Sequence, residues 1–326
     1  MPRSTAPRSC RALALGAVVL TTALWGLSYP LTKDLVEVYP PGQLAALWLA
    51  IALGVMLPIL LVQEKRPVFS RQSLLLGLTG VAMFQLLQNT GMQSVSAGVS
   101  VIVLYGAIVI LSMLLGRCLL GEACSKVVLG ALAISAVGVG LVAFQAGGEG
   151  EDGLPVVGVL LIVAAAGAWA VYTVIGRKAT DADVLALNAG ALLVGLVGIL
   201  PFAARERHPG WNAMADRSDL LALLILGAAV TAGSYFFWSY SLRHLRVTEA
   251  SVLSSAEPVF GLLFAWLVLR EAISWEEGVG VAVIIGGCLL IVLEQEWLRR
   301  DPVSDAIAGR APIEPPDYAG ARARGR

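Results

Sequence analysis

The sequence predicts an all-α integral membrane protein of ten transmembrane helices, arranged as two inverted five-helix repeats. Composition is the first reason. Hydrophobic residues make up 57% of the chain and charged residues 14%, with a mean hydropathy of +0.79, which leaves too little polar surface to coat a soluble globule. The second is a series of apolar windows of about 20 residues, each long enough to cross about 30 Å of hydrocarbon. The third is that the chain repeats itself. Trp25, Ser28, Tyr29 and Thr32 recur 144 residues later as Trp169, Tyr172, Thr173 and Gly176, a spacing that lines one helical face. Duplicated polytopic halves are the sequence mark of a transporter fold.

The windows run over 12–32, 43–62, 74–92, 97–118, 126–146, 154–176, 183–204, 219–241, 247–269 and 276–297. Hydrocarbon offers the backbone no hydrogen-bonding partner, so windows of this length are helices. Each half closes alike: an apolar run ends at Glu122 or Glu271, and the next helix carries paired glycines, Gly130 and Gly138 or Gly278 and Gly286. The resulting division is a tail over 1–11, a first repeat over 12–146, an outer linker over 147–153, a second repeat over 154–297 and a disordered tail over 298–326.

Orientation follows from lysine and arginine, which cytoplasmic loops retain. With the N-terminus inside, the inner segments hold 18 of these residues and the outer loops 5, namely Lys33, Arg205, Arg207, Arg217 and Arg270. Both termini are then cytoplasmic. An odd number of helices per half gives the halves opposite topology. A net charge of zero gives no hint of a nucleic-acid partner. The start, Arg3 to Arg11 followed by Ala12 to Ala23, has the make-up of a secretory signal, but the matching partner of the Trp25 stripe inside the chain argues that it is retained. Cys10, Cys118, Cys124 and Cys288 lack metal-site or disulfide spacing, and no cofactor is expected.

The start "LWGLSYPLTK", the first-half stretch "GRCLLGEACSKVVLGALAISAVGVGLVAF" and its second-half counterpart "EASVLSSAEPVFGLLFAWLVLREAISWEEGVGVAVIIGGCLLIV" together resemble the drug/metabolite transporter superfamily, and within it the ten-helix proteins with two EamA domains. The resemblance covers about residues 12–297. It implies a multi-pass secondary transporter of the bacterial inner membrane, often an exporter of amino acids or related metabolites, typically driven by an ion gradient. Two positions depart from the family pattern. Where the fourth helix usually carries a proline matching Pro258, this chain has "VIVLYGAIVI", offering Gly106 in one of two registers three residues apart. Where the second helix often carries an arginine, the run is "LAALWLAIA" with Trp48.

Chemistry is expected where polar groups are forced into the apolar windows. Glu257 falls about ten residues from either end of the ninth window, where a carboxylate costs several kcal/mol unless paired, hydrated or protonated. Pro258 beside it removes a backbone donor. The functional reading is a protonatable group facing a central cavity; the bland one is a structural carboxyl bonded to a neighbouring helix. Ser254 and Gly261 lie one turn to either side. Tyr235 and Trp238 in the eighth window, Gln85 and Asn89 in the third, Trp25 and Tyr29 in the first and Tyr105 in the fourth complete the candidate substrate and ion contacts. Trp169 and Tyr172 sit near enough to an inner helix end for an interfacial role. Glu122 and Glu271 read as interfacial residues near the following helix's N-terminus, where the dipole favours negative charge.

The leading expectation is a monomeric secondary transporter of a small molecule, with the proton as coupling ion, membrane lipid around it and alternating access about a midplane site. An enzyme acting on lipid would need clustered acids or histidines at one interface, and none is seen. A receptor or scaffold using the same fold is the remaining alternative.

Overall fold

In a computed structural model, residues 8–120, 154–176, 184–206, 217–245 and 253–300 are described, with a few more between 130 and 141. Among them run nine long helices: α1 (Arg8–Val38), α2 (Pro41–Val62), α3 (71–92), α4 (Ala97–Leu120), α5 (Leu154–Gly176), α6 (Val184–Ala203), α7 (217–244), α8 (257–269) and α9 (Trp275–Arg300). The predicted fifth window, Glu122, the 147–153 linker and the tail beyond 300 lie outside the described residues. Six helices are long and apolar enough to cross a membrane: α1, α2, α4, α5, α6 and α7. Exposed leucines and valines such as Leu61, Leu160, Val197 and Leu221 coat the outside, the arrangement a bilayer requires rather than water.

Helix boundaries depart from the windows in instructive places. The first helix begins at Arg8 and continues through Pro30 to Val38, absorbing part of the predicted tail. The ninth window is not one helix. Residues 255–256 form a turn, and α8 opens at Glu257 with Pro258 in its first turn. Proline is tolerated there because its missing N–H is one of the orphans of a helix start. Glu257 is therefore a helix-start residue, not the mid-helix one that hydropathy suggested.

The halves interleave. The first helix of each half packs against the third and fourth of the other: α1 lies on α7 and α8, and α5 lies on α3 and α4. The second helices, α2 and α6, pack on each other. Each third helix holds a π-helical stretch, 77–83 in α3 and 225–233 in α7. Gly77 meets the Ala191 carbonyl and Val194 of α6, and Gly227 meets Ile51 and the Ala52 backbone of α2. The two halves thus make the same close approach with the same residue type.

Loops assigned to one side by the charge count gather at one end of the bundle. The Glu206 carboxylate accepts from the Gly42 and Gln43 N–H groups, both at 2.8 Å, and Lys33 Nζ donates to the Met92 carbonyl at 3.0 Å. At the opposite end the Val68 N–H donates to the Ala186 carbonyl at 3.0 Å, and Gln72 Nε2 to that of Ile175 at 3.0 Å.

Close approach also defines where α1 meets α8. A Cβ on Gly26 would stand 2.6 Å from Phe260 Cβ and 2.8 Å from the Gly261 nitrogen, and backbone cannot yield cheaply. Gly26→Ala is expected to destabilise by about 1–3 kcal/mol, read as a lowered melting midpoint in detergent. Gly54→Ala, at a position with open space around it, is expected to leave the midpoint unchanged.

Candidate functional site

The α1 stripe faces inward and is paid for by contacts from the second half. Tyr29 is buried, and its hydroxyl donates to Glu257 Oε1 at 3.0 Å, joining residues 228 apart in sequence. One turn back on α1, Trp25 lies against Trp238 of α7, ring centroids 5.5 Å apart at 46°. Tyr105 of α4 is within electrostatic reach of Tyr29. Ser254 sits on the short helical piece before the break, and Pro258 is buried behind Glu257.

The carboxyl's place follows from local sequence. The turn at 255–256 ends one helical piece, Ala256 holds φ −78° and ψ −2°, and the Val259 and Phe260 N–H groups donate to its carbonyl at 3.0 and 3.1 Å. On the far side of α8, a Cβ on Gly261 would meet Val101 of α4 at 2.8 Å. The helix is thereby wedged between α1 and α4, holding Glu257 against Tyr29.

Other candidates go elsewhere. Tyr235 joins a second polar cluster with Tyr172 of α5, whose hydroxyl donates to Asn188 Oδ1 of α6 at 3.1 Å. Trp169 stacks on Tyr172, centroids 4.8 Å apart at 26°, and touches Phe84 of α3 at 4.9 Å. These two rings are packed into the bundle against α3 and α6, correcting the interfacial expectation: Gly80, with no side chain, leaves the space Tyr172 fills. Asn89 Nδ2 donates to the Pro41 carbonyl at the start of α2, 3.2 Å away. Gln85 is buried, with its Oε1 lacking a hydrogen-bond partner.

The Glu271 expectation is also corrected. Its carboxylate accepts from the Ala97 and Gly98 N–H groups at 3.0 and 3.1 Å, so it caps α4 of the first half and not the helix that follows it. That following helix has its own device, with the Ser274 and Glu277 side chains each accepting from the other's N–H at 3.1 and 2.8 Å, a capping box.

One group lies outside the residues singled out from sequence, and Trp48, singled out there only as a departure from the family pattern, has a partner across the bundle. Asn188 is one amide in an apolar window, and its isolation was the available clue. Trp48 donates its indole N–H to Thr231 Oγ1 at 2.7 Å; the π-helical register of α7 positions Thr231, which itself donates to the Leu226 carbonyl five residues back at 3.0 Å. Among the described residues no group of three or more His, Cys, Asp or Glu is placed to hold a metal ion.

The sequence pattern of the EamA-like transporter family matches residues 12–144 and, a second time, residues 156–293. The chain belongs to the EamA-like transporter family. Among curated EamA-type relatives, an S-adenosylmethionine/S-adenosylhomocysteine transporter of Chlamydia trachomatis is 25% identical over 88% of this chain and 91% of its own length. A probable amino-acid metabolite efflux pump of Escherichia coli is 26% identical over 86% of this chain and 95% of that one. A crystal structure with 20% identity and a TM-score of 0.65, covering 90% of this chain and 99% of that one, shares the fold. The chain is a multi-pass membrane protein of a transporter family, and general transport is its activity class.

The Tyr29–Glu257 contact is open to a direct test. A double-mutant cycle of Tyr29→Phe and Glu257→Ala, read by thermal unfolding in detergent, is expected to give a coupling energy of about 0.5–3 kcal/mol. Pairing Tyr29→Phe with Asn188→Ala, in the separate cluster, is expected to be additive.

Proposed function

We propose that this chain is a secondary active transporter that exports amino acids or related small metabolites by proton-coupled alternating access, with Glu257 as the proton-exchanging group. The carrying observation is the 3.0 Å bond from Tyr29 Oη to Glu257 Oε1. It is a carboxyl held at a helix break, at the seam between the first helix of one half and the fourth of the other. A change in its protonation alters the contact that ties α1 to α8, and movement of other helices past that pair alters the carboxyl's surroundings in turn. That reciprocity is what coupling requires.

In this reading Trp25, Trp238 and Tyr105 line the cavity beside the carboxyl, their rings covering the apolar part of a substrate and the hydroxyls orienting its polar groups. The relatives named for amino-acid metabolites and for a sulfonium amino acid derivative support that substrate class. The lysine and arginine bias supports a bacterial inner-membrane protein with both termini cytoplasmic. The doubled family match supports two repeats of five helices each, sufficient for both walls of a cavity within one monomer.

Labelled amino acids and metabolites in proteoliposomes, with a pH gradient imposed or collapsed, test the reading. Gradient-dependent flux of a compound is expected. Glu257→Gln is expected to abolish gradient-driven accumulation while retaining substrate exchange across an ungraded membrane. Full gradient-driven accumulation by a normally inserted Glu257→Gln protein would remove Glu257 from the coupling role.

A further inference from the structure

We infer that Glu271 and Lys33, assisted by Gln93, form a latch that holds one end of the bundle shut, and that releasing it is the opening step of the cycle. This assignment rests on the alternating-access reading above.

The helices fall into two groups by their direct bonds. In one, α1, α7 and α8 are joined by Trp25 against Trp238, by Tyr29 to Glu257, and by Ser241 Oγ to the Ala14 carbonyl at 3.0 Å. In the other, α3 is joined to α5 by Phe84 against Trp169, by Gln72 Nε2 to the Ile175 carbonyl and by their close passage at Gly91 and the Gly158 carbonyl, and α4 packs along α5. One pair that crosses between the groups, Tyr235 of α7 with Tyr172 of α5, lies within the bundle, and a set of hydrogen bonds crosses from the first group to the second at one end. Lys33 Nζ of α1 donates to the Met92 carbonyl at the end of α3, 3.0 Å away. Gln93 Nε2 reaches the Val36 carbonyl of α1 at 3.5 Å. Glu271, just past α8, accepts from the Ala97 and Gly98 N–H groups that open α4.

The chemistry is matched to a reversible contact. Between α3 and α4 runs one short turn, with the negative end of one helix dipole on its near side and the positive end of the next on its far side. The first group places a cation on the former and a carboxylate on the latter. What they satisfy are terminal carbonyl and N–H groups that have no intrahelical partner. At a helix end in the interfacial zone, water can replace either partner when the groups separate. Deeper in the membrane the groups meet through Gly261 against Val101, an apolar contact, and through the tyrosine pair of α7 and α5. A polar clasp at one end and a small-residue contact in the middle are the parts of a rocking joint.

Glu206 supplies a matched comparison. It caps α2 with the same two-pronged geometry but joins α6 to α2, and so costs a cap without touching the latch.

The experiment places nitroxide labels at Ile273 and Thr90, both exposed and one on each group at the latched end, in the full chain with its native cysteines replaced, in lipid nanodiscs. Pulsed electron resonance then reads the distance between them. Glu271→Gln loses the charge from a pair of charge-assisted bonds, and the population at longer distance is expected to rise about tenfold. Glu206→Gln is expected to leave the distribution as in the parent. An unchanged distribution in folded Glu271→Gln, or the same lengthening in Glu206→Gln, overturns the latch and leaves Glu271 a helix cap. Should Glu271→Gln not fold, Lys33→Gln is read the same way, where lengthening supports the latch and no change overturns it. The measurement needs neither substrate nor gradient, so absent flux in liposomes with a normal distance shift counts against the coupling reading and not against the latch.

Discussion

Hydrocarbon offers no hydrogen bonds, and the arrangement of polar groups in this chain follows from that single constraint. Hydroxyls that face outward close upon their own helix: Thr79 donates to the Leu75 carbonyl and Thr90 to that of Leu86, both at 2.7 Å. The buried Thr22 does the same toward Val18 at 2.9 Å. Such residues ask nothing of a neighbour and tell nothing about function. Against that background, side chains that reach across helices stand apart. Tyr29 to Glu257, Trp48 to Thr231 and Tyr172 to Asn188 mark where helices are tied to each other inside the bundle, and Glu206, Lys33 and Glu271 tie them at helix ends.

The two halves share a scaffold and differ in chemistry. Gly77 and Gly227 occupy corresponding π-helical stretches and admit the second helix of the opposite half in the same way. The first-helix stripes start from matching tryptophans, yet one leads to a carboxyl through Tyr29 and the other to an amide through Tyr172. A duplicated fold needs symmetric packing to hold together. It needs only one ionisable group at the seam to respond to a proton, and a second carboxyl there would add a second desolvation cost.

Most of the described helices, their order and the gathering of the loops at two ends of the bundle were legible because hydropathy and charge are local quantities. The inward face of α1 was legible because Trp25 and Tyr29 recur at helical spacing. Other features depend on what lies opposite, and no window of sequence contains that. Glu257–Pro258 reads as mid-helix since the apolar run continues on both sides; hydropathy does not sense the break, although Pro258, which has no N–H to continue a helix, marks its place. Tyr235 and Trp238 stand three residues apart on α7 but face different clusters, because each is claimed by a different half. Glu271 reads from sequence as an interfacial carboxylate near the N-terminus of the helix that follows it. The helix it caps lies 173 residues earlier, a partner fixed by tertiary structure alone.

A tyrosine beside Glu257 is a different device from a lysine or arginine there. A fixed cation would tie the carboxyl to its charged form, and protonation would leave that cation buried without a counterion. A phenol carries no charge and is both donor and acceptor. It donates to the carboxylate, and when the carboxyl is protonated it can keep donating to the carbonyl oxygen or accept from the carboxyl O–H, its own O–H then turning to another acceptor. The two states then differ in the hydrogen bonds made and in whatever else the carboxyl can reach. On the proton-coupled reading proposed above, a carboxyl that gains and loses a proton on each cycle needs a partner of this kind, and Tyr29 of α1 stands 3.0 Å away to be one.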